Sequence, residues 1–222
     1  MSSTAVVFDL ESDCSFASLD GMTKDQMFQV MQVTVACALV LDADEIEKGA
    51  SWDDIRAKST AHTYWRDGPC RPRESVFEDL LCLFDEAVCI VAYNGAAFDF
   101  PLLRKHYTNS NAGKKRYFAH RAKLLDPLLR LQSFCDIRFK LDSLLSTNKI
   151  PCKTADGLEA IRMWSEGERT ELAAYCAYDV EALARLVCID EIKIDIAGEL
   201  LTSPNIVHGV KAAVSALKAT DA

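Results

Sequence analysis

Asp9 and Glu11 stand two residues apart at the end of a short apolar run that contains Val6, Val7 and Phe8. That run is β-branched or aromatic and too brief for a helix, so it reads as a buried strand. In a strand, residues i and i+2 point to the same face. The two carboxylates therefore leave a hydrophobic strand side by side. Like charges at close range each disfavour ionisation of the other. A divalent cation relieves that conflict, and magnesium and manganese prefer oxygen donors of this kind. A lone D-x-E pair is common, so the remainder of the chain decides whether this one is a metal site.

With 222 residues the chain is expected to form one domain, or one domain with an appendage. Its 50% hydrophobic and 26% charged content supports a full core rather than disorder. No uninterrupted apolar stretch is long enough to span a membrane. Residues 1–4 run straight into the first strand, so neither a signal nor a transit peptide is expected. The nine cysteines are odd in number and contain no C-x-x-C pair. They read as small buried hydrophobes in a reducing intracellular compartment, cytoplasm or nucleus, rather than as disulfides or zinc ligands. A net charge of −8 argues against a protein that coats duplex nucleic acid. It is compatible with one that processes nucleic acid at a site where metal ions neutralise clustered acids.

Along the chain, residues 27–41 read as a long strand dominated by valine and leucine, and residues 60–66 as a third. With the first they predict an antiparallel meander. Residues 42–59 are acidic and mixed, a loop with a helical turn or two. Then the period changes. Residues 73–86 carry apolar positions at helical spacing, 88–93 form a compact buried strand, and 96–107 resume as a helix with Pro101 in its first turn. A short strand or extended link at 123–126 precedes helices at 127–134, 141–146, 156–164 and 169–190. Residues 204–219 read as a weak amphipathic helix. A meander followed by alternating helices and strands predicts an α/β fold, a mixed sheet flanked by helices.

Two further elements carry chemistry. Asp99 follows a buried strand and the segment Tyr93-Asn94-Gly95, near the start of a helix. By itself it reads as a helix-start acid that favours the dipole. Tyr175 and Asp179 lie four apart in a long helix and share one face; alone they read as a half-buried tyrosine beside a surface acid. Taken together and in order, the chain resembles the DnaQ-like, or DEDD, family of 3′–5′ exonucleases. The motifs are D-x-E at Asp9 and Glu11, N-x-x-x-F-D from Asn94 to Asp99, and Y-x-x-x-D from Tyr175 to Asp179. The stretch around Leu124, Asp126 and Arg130 is also similar. The resemblance covers roughly residues 5–190. Ala174 and Tyr175 stand where one branch of the family carries histidine, so the chain resembles the tyrosine branch, DEDDy.

The resemblance implies an RNase H-like fold, with an antiparallel meander plus parallel strands. It implies a nuclease domain over residues 1–190; residues 191–222 fall beyond the resemblance and read as a helical extension of the same domain that would cap the sheet, form a homodimer or contact a protein partner. It also implies two Mg²⁺ or Mn²⁺ ions. Asp9, Glu11 and Asp179 would hold the first, Asp9 would bridge to the second, and Asp99 would support the second. Tyr175 would orient the attacking water. Leu10 would offer a backbone carbonyl near the terminal sugar, and Asn94 would be a substrate contact. Phe98 would lie beneath a base or fill core. The partner would be a single-stranded or frayed 3′ end of DNA or RNA. Asp13 departs from the family pattern and adds a charge close to the acidic pair. Residues 114–123, with Lys114, Lys115 and Arg116, suit a strand-guiding patch or a solvated loop. The competing readings are a catalytically weak binding module on the same fold, and an RNase H-like endonuclease or resolvase.

Overall fold

The computed structural model describes residues 3–68, 75–152, 157–189 and 191–204, with residues 210, 212, 215 and 216 beyond them. Cys70 and most of the helix expected at 204–219 lie outside the described residues. The chain opens with β1 (Thr4–Ser12), a 3₁₀ turn at Phe16–Leu19 and α1 (Lys24–Val30), followed by β2 (Val33–Asp42). Two short helices, α2 (Ala43–Lys48) and α3 (Trp52–Lys58), lead to β3 (Thr60–Trp65). After α4 (Glu78–Glu86) come β4 (Cys89–Val91), α5 (Asp99–Leu103), a 3₁₀ turn at Arg104–His106 and α6 (Asn111–Ala122). Then β5 (Leu124–Leu125), α7 (Pro127–Cys135), α8 (Leu141–Thr147), α9 (Gly157–Glu166) and α10 (Arg169–Cys188) follow. A hairpin of β6 (Glu191–Ile196) and β7 (Glu199–Pro204) comes after them.

The main sheet has the order β3-β2-β1-β4-β5 among the described residues. The β1–β2 and β2–β3 pairs are antiparallel, and the β1–β4 and β4–β5 pairs are parallel. This is the mixed, helix-flanked α/β sheet expected, consistent with an RNase H-like fold. Strand alternation sorts β1 onto two cores. Val7, with Val35, Cys37 and Leu39 of β2, packs against Leu172, Cys176 and Leu183 of α10. Val6, Phe8 and Leu10 face Leu80, Leu81 and Phe84 of α4 and Phe100 of α5. Val7 and Phe8 are fully buried, and such side chains each contribute about 1.5–3 kcal/mol by leaving water.

Two expectations are corrected. Residues 27–30, read as the start of a long strand, end α1 instead. Thr23 caps that helix, accepting from the Gln26 amide while the Gln26 side chain accepts from the Thr23 amide. This reciprocal capping box nucleates a helix directly ahead of the valine-rich strand β2. Val30 consequently sits 48% exposed at the helix end. Residues 191–204, read as the start of a helical extension, form the β6–β7 hairpin. Ile192 and Ile194 are fully buried while their neighbours face out, the period-2 pattern of a strand. Asn148 fastens the hairpin by exchanging two hydrogen bonds with the Lys193 backbone, both 2.8 Å.

Candidate active site

β1 outruns its parallel neighbour. Its ladder with β4 extends only from Ala5↔Cys89 to Val7↔Val91, whereas its antiparallel ladder with β2 continues to Ser12. Beyond Val7, the side of β1 that faces β4 has therefore left the ladder. Asp99, at the first turn of α5, comes up against that strand. Its side chain is buried, at 2% exposure. Burial pushes its carboxyl up to about 7; its own backbone amide and that of Leu10 oppose the rise, and the charge of Asp126 adds to it. The Leu10 amide belongs to the peptide that joins Asp9 to Leu10, so Asp99 is brought to the Asp9 backbone. Its Oδ1 has no hydrogen-bond partner among the described residues, an uncommon state for a buried polar atom.

The segment that delivers Asp99 is shaped by a second buried acid. Asp126 caps α7. Its Oδ1 accepts from the Asn94 amide at 3.0 Å and the Leu128 amide at 3.1 Å, and its Oδ2 from the Ala96 amide at 3.0 Å. This grip holds Asn94 in the left-handed region, at φ 62°, a conformation asparagine tolerates better than most residues. Gly95 is required beside it, because a Cβ there would come within 2.5 Å of the Ala92 Cβ. Sequence reading places Asp126 at the end of a short strand or extended link, which does not reveal its hold on the 94–96 turn.

Asp9 and Glu11 share the β1 face that carries Val7, toward α10. The Cys176 thiol lies 3.5 Å from the Asp9 carbonyl oxygen, as its donor, and 3.8 Å from Asp9 Oδ2. One ligand atom from each of Asp9, Glu11 and Cys176 falls within a 4.8 Å span. Burial, then a hydrogen bond with Cys37 and the charge of Asp9, raise the Cys176 thiol well above its ordinary value. It therefore remains a neutral donor beneath Asp9. Tyr175 stands next to it in the helix. Its hydroxyl is raised by burial and then by the charges of Glu11, Asp179, Asp9 and Asp142. The phenol is thus held neutral in a field of several acids, three of them from the sequence motifs.

The remaining expected residues fall in different places. Leu10 is buried on the α4 side of β1. Phe98 packs edge-on against Phe16, with ring centres 5.7 Å apart, and lies 6.2 Å from Phe28, an arrangement of core packing. The Asn94 amide oxygen accepts from Arg138 Nη2 at 3.0 Å, and sequence reading did not single out Arg138. Residues 114–121 belong to helix α6 rather than a loop. Lys114 and Lys115 are exposed, while Arg116 pairs with Glu78 at 2.6 Å and Asp85 at 2.7 Å.

At the end of β1 the Asp9 and Glu11 carboxylates lie together with the Cys176 thiol, which is held protonated, and Asp99 brings a buried oxygen with unmet acceptor capacity to the Leu10 backbone. That chemistry fits a hard divalent cation, Mg²⁺ or Mn²⁺. Comparison with known proteins adds the fold. No family model matches the chain, and no curated protein matches it by sequence. Among solved structures, it is similar to the family B DNA polymerase from the hyperthermophilic archaeon Pyrobaculum calidifontis, with a TM-score of 0.54 and 15% identity. The match covers 83% of this chain and 24% of the polymerase, so the chain spans about a quarter of that protein. No described helix is long and apolar enough to cross a membrane.

Proposed function

We propose that this chain is a metal-dependent 3′–5′ exonuclease of the DEDDy type that hydrolyses single-stranded DNA or RNA to nucleoside 5′-monophosphates. The observation that carries the reading is the convergence at the end of β1. The Tyr175 phenol sits among the charges of Glu11, Asp179 and Asp9, while Asp99 arrives from α5 with an unsatisfied buried oxygen. The likeness to one stretch of a DNA polymerase supports a role on nucleic acid.

Asp9, Glu11 and Asp179 would hold one cation, and Asp9 with Asp99 a second. Bound metal supplies an activated water and stabilises the leaving oxygen. The chain's own residues do the rest. Tyr175, kept protonated by burial and by its acidic neighbours, is suited to orient a water by hydrogen bonding rather than to remove its proton. Asp126 holds the turn that delivers Asp99. Cys176 supports the Asp9 backbone from below.

The test uses 5′-labelled single-stranded DNA and RNA of one sequence, each with Mg²⁺ and with Mn²⁺, comparing wild type with Asp9→Asn. A ladder shortening from the 3′ end, lost in the variant, is the expected result. Cleavage of neither substrate in either metal would falsify the reading and favour a binding module. Cleavage of a circular substrate would favour an endonuclease.

A further inference from the structure

We infer that Arg138 is a substrate-binding residue of this site, its guanidinium receiving a backbone phosphate of the substrate strand other than the scissile one. The inference rests on the nuclease reading above and identifies how the strand is held.

Several described arginines elsewhere on the chain are committed to carboxylates, and Arg104, Arg121 and Arg185 lie over the rings of Tyr117 and Trp52. Arg56 pairs with Glu181, Arg66 with Asp13, Arg116 with Glu78 and Asp85, and Arg169 with Asp67. Arg138 is exposed, and its hydrogen bond among the described residues goes to a neutral acceptor, Asn94 Oδ1, at 3.0 Å. Asn94 belongs to the turn that ends in Asp99, and Asp126 fixes its backbone. The next residue is tied down as well, because the Tyr93 hydroxyl donates to the Phe139 carbonyl at 2.7 Å. The 138–139 segment is thus pinned twice to the 93–94 segment. A guanidinium is placed there with most of its donors unused among the described residues.

The electrostatics give that placement a purpose. The chain carries a net charge of −8 and concentrates acids around β1, yet a nucleic-acid strand must approach with its own negative charge. Bound metal ions would neutralise the scissile phosphate. The neighbouring phosphates need a fixed cation, and the planar fork of arginine matches a phosphate geometrically. A second guanidinium reaches the same turn, where Arg121 Nη2 donates to the Ala96 carbonyl at 3.5 Å. Ile137, the residue before Arg138, and Phe134, near the end of α7, leave apolar surface exposed, suited to contact with unstacked bases.

The experiment compares wild type with Arg138→Ala on two substrates. One is a single-stranded oligonucleotide. The other is thymidine 5′-(p-nitrophenyl phosphate), whose one phosphodiester has no neighbouring phosphate. On the oligonucleotide, KM should rise about 10- to 100-fold, as expected for loss of a charge-assisted contact, with kcat nearly unchanged. The salt dependence of KM should weaken by about 0.7 in log–log slope, the value for one phosphate contact on a single strand. The nitrophenyl ester should be cleaved equally by both proteins. Asn94→Gly, which keeps the left-handed backbone and removes the amide anchor, should show the same pattern more weakly. An unchanged oligonucleotide KM, or an equal loss on both substrates, overturns the assignment. If wild type cleaves nothing, the nuclease reading fails by itself. Fluorescence anisotropy of a 5′-labelled oligonucleotide then tests Arg138 separately: weaker binding with a reduced salt slope upholds the contact, and equal binding removes it.

Discussion

On the flank where α6 packs against α4, acids come with their own partners. Arg116 bonds to Glu78 and Asp85, and Asp85 Oδ1 also accepts from His120 Nε2 at 2.7 Å. His120 Nδ1 in turn meets the Tyr107 hydroxyl at 2.8 Å. Burial lowers His120 below its ordinary value, so a neutral ring donates to Asp85 and accepts from Tyr107. This network is satisfied within the protein. At the end of β1 the arrangement differs. Asp126 is satisfied by three backbone amides, but Asp99 keeps an oxygen with no described donor. One flank uses acids as structural glue. The other retains acceptor capacity that a folded domain does not need for its own stability.

That contrast can be broken or sharpened by experiment. The largest effect is expected from Asp99→Asn, which should reduce nuclease activity on the order of 10²–10³-fold, as for loss of one preorganised electrostatic group; steady-state cleavage of a labelled oligonucleotide measures it, and activity within a few-fold of wild type would remove Asp99 from the site. The same substitution should stabilise the metal-free protein. Asp99 holds its proton up to about 7 in the folded chain, against an ordinary 3.8. Between those values the folded state binds more protons than the unfolded state, so stability falls as pH rises through the window and stays lost above it. Asp99→Asn should therefore gain stability at pH 8, by up to a few kcal/mol, and little at pH 4. Thermal melts of chelator-treated protein at both pH values decide the point; equal shifts would contradict it.

Asp126→Ala should release the 94–96 turn without removing a group that touches metal. Activity should fall about 10- to 100-fold, the range for residues that orient ligands, and apparent Mn²⁺ affinity should weaken in parallel when followed by titration. The smallest effect belongs to the other flank. Arg116→Ala should lower stability by about 1–2 kcal/mol, below the full value of a charged hydrogen bond because the pair is partly solvated. It should leave kcat unchanged, and a matching loss of catalysis would join the two flanks functionally.

Much of the fold was legible in the sequence because its signals are local. The apolar run at Val6, Val7 and Phe8 and the helix that begins at Pro127 follow from nearest-neighbour chemistry. Residues 27–30 misled because they run into the valine-rich stretch of β2, while the cap at Thr23 and Gln26 makes them the end of a helix. The hairpin at 191–204 was hidden because its strands are short and the buried face of β6, Ile192 and Ile194, is completed only by the main core, with Asn148 bonding its backbone.

By itself, the sequence determined that Asp9 and Glu11 share a face and that Tyr175 and Asp179 share another, since strand and helix periods set both. Only the tertiary structure decided that Asp99 meets the Leu10 amide, that Asp126 holds the turn between them, and that Arg138 rather than Arg116 stands at that turn. Those relations join residues 30 to 89 positions apart in the chain, across a strand that outruns its neighbour. No local pattern encodes where two distant segments come together; the packing of both faces of the sheet does.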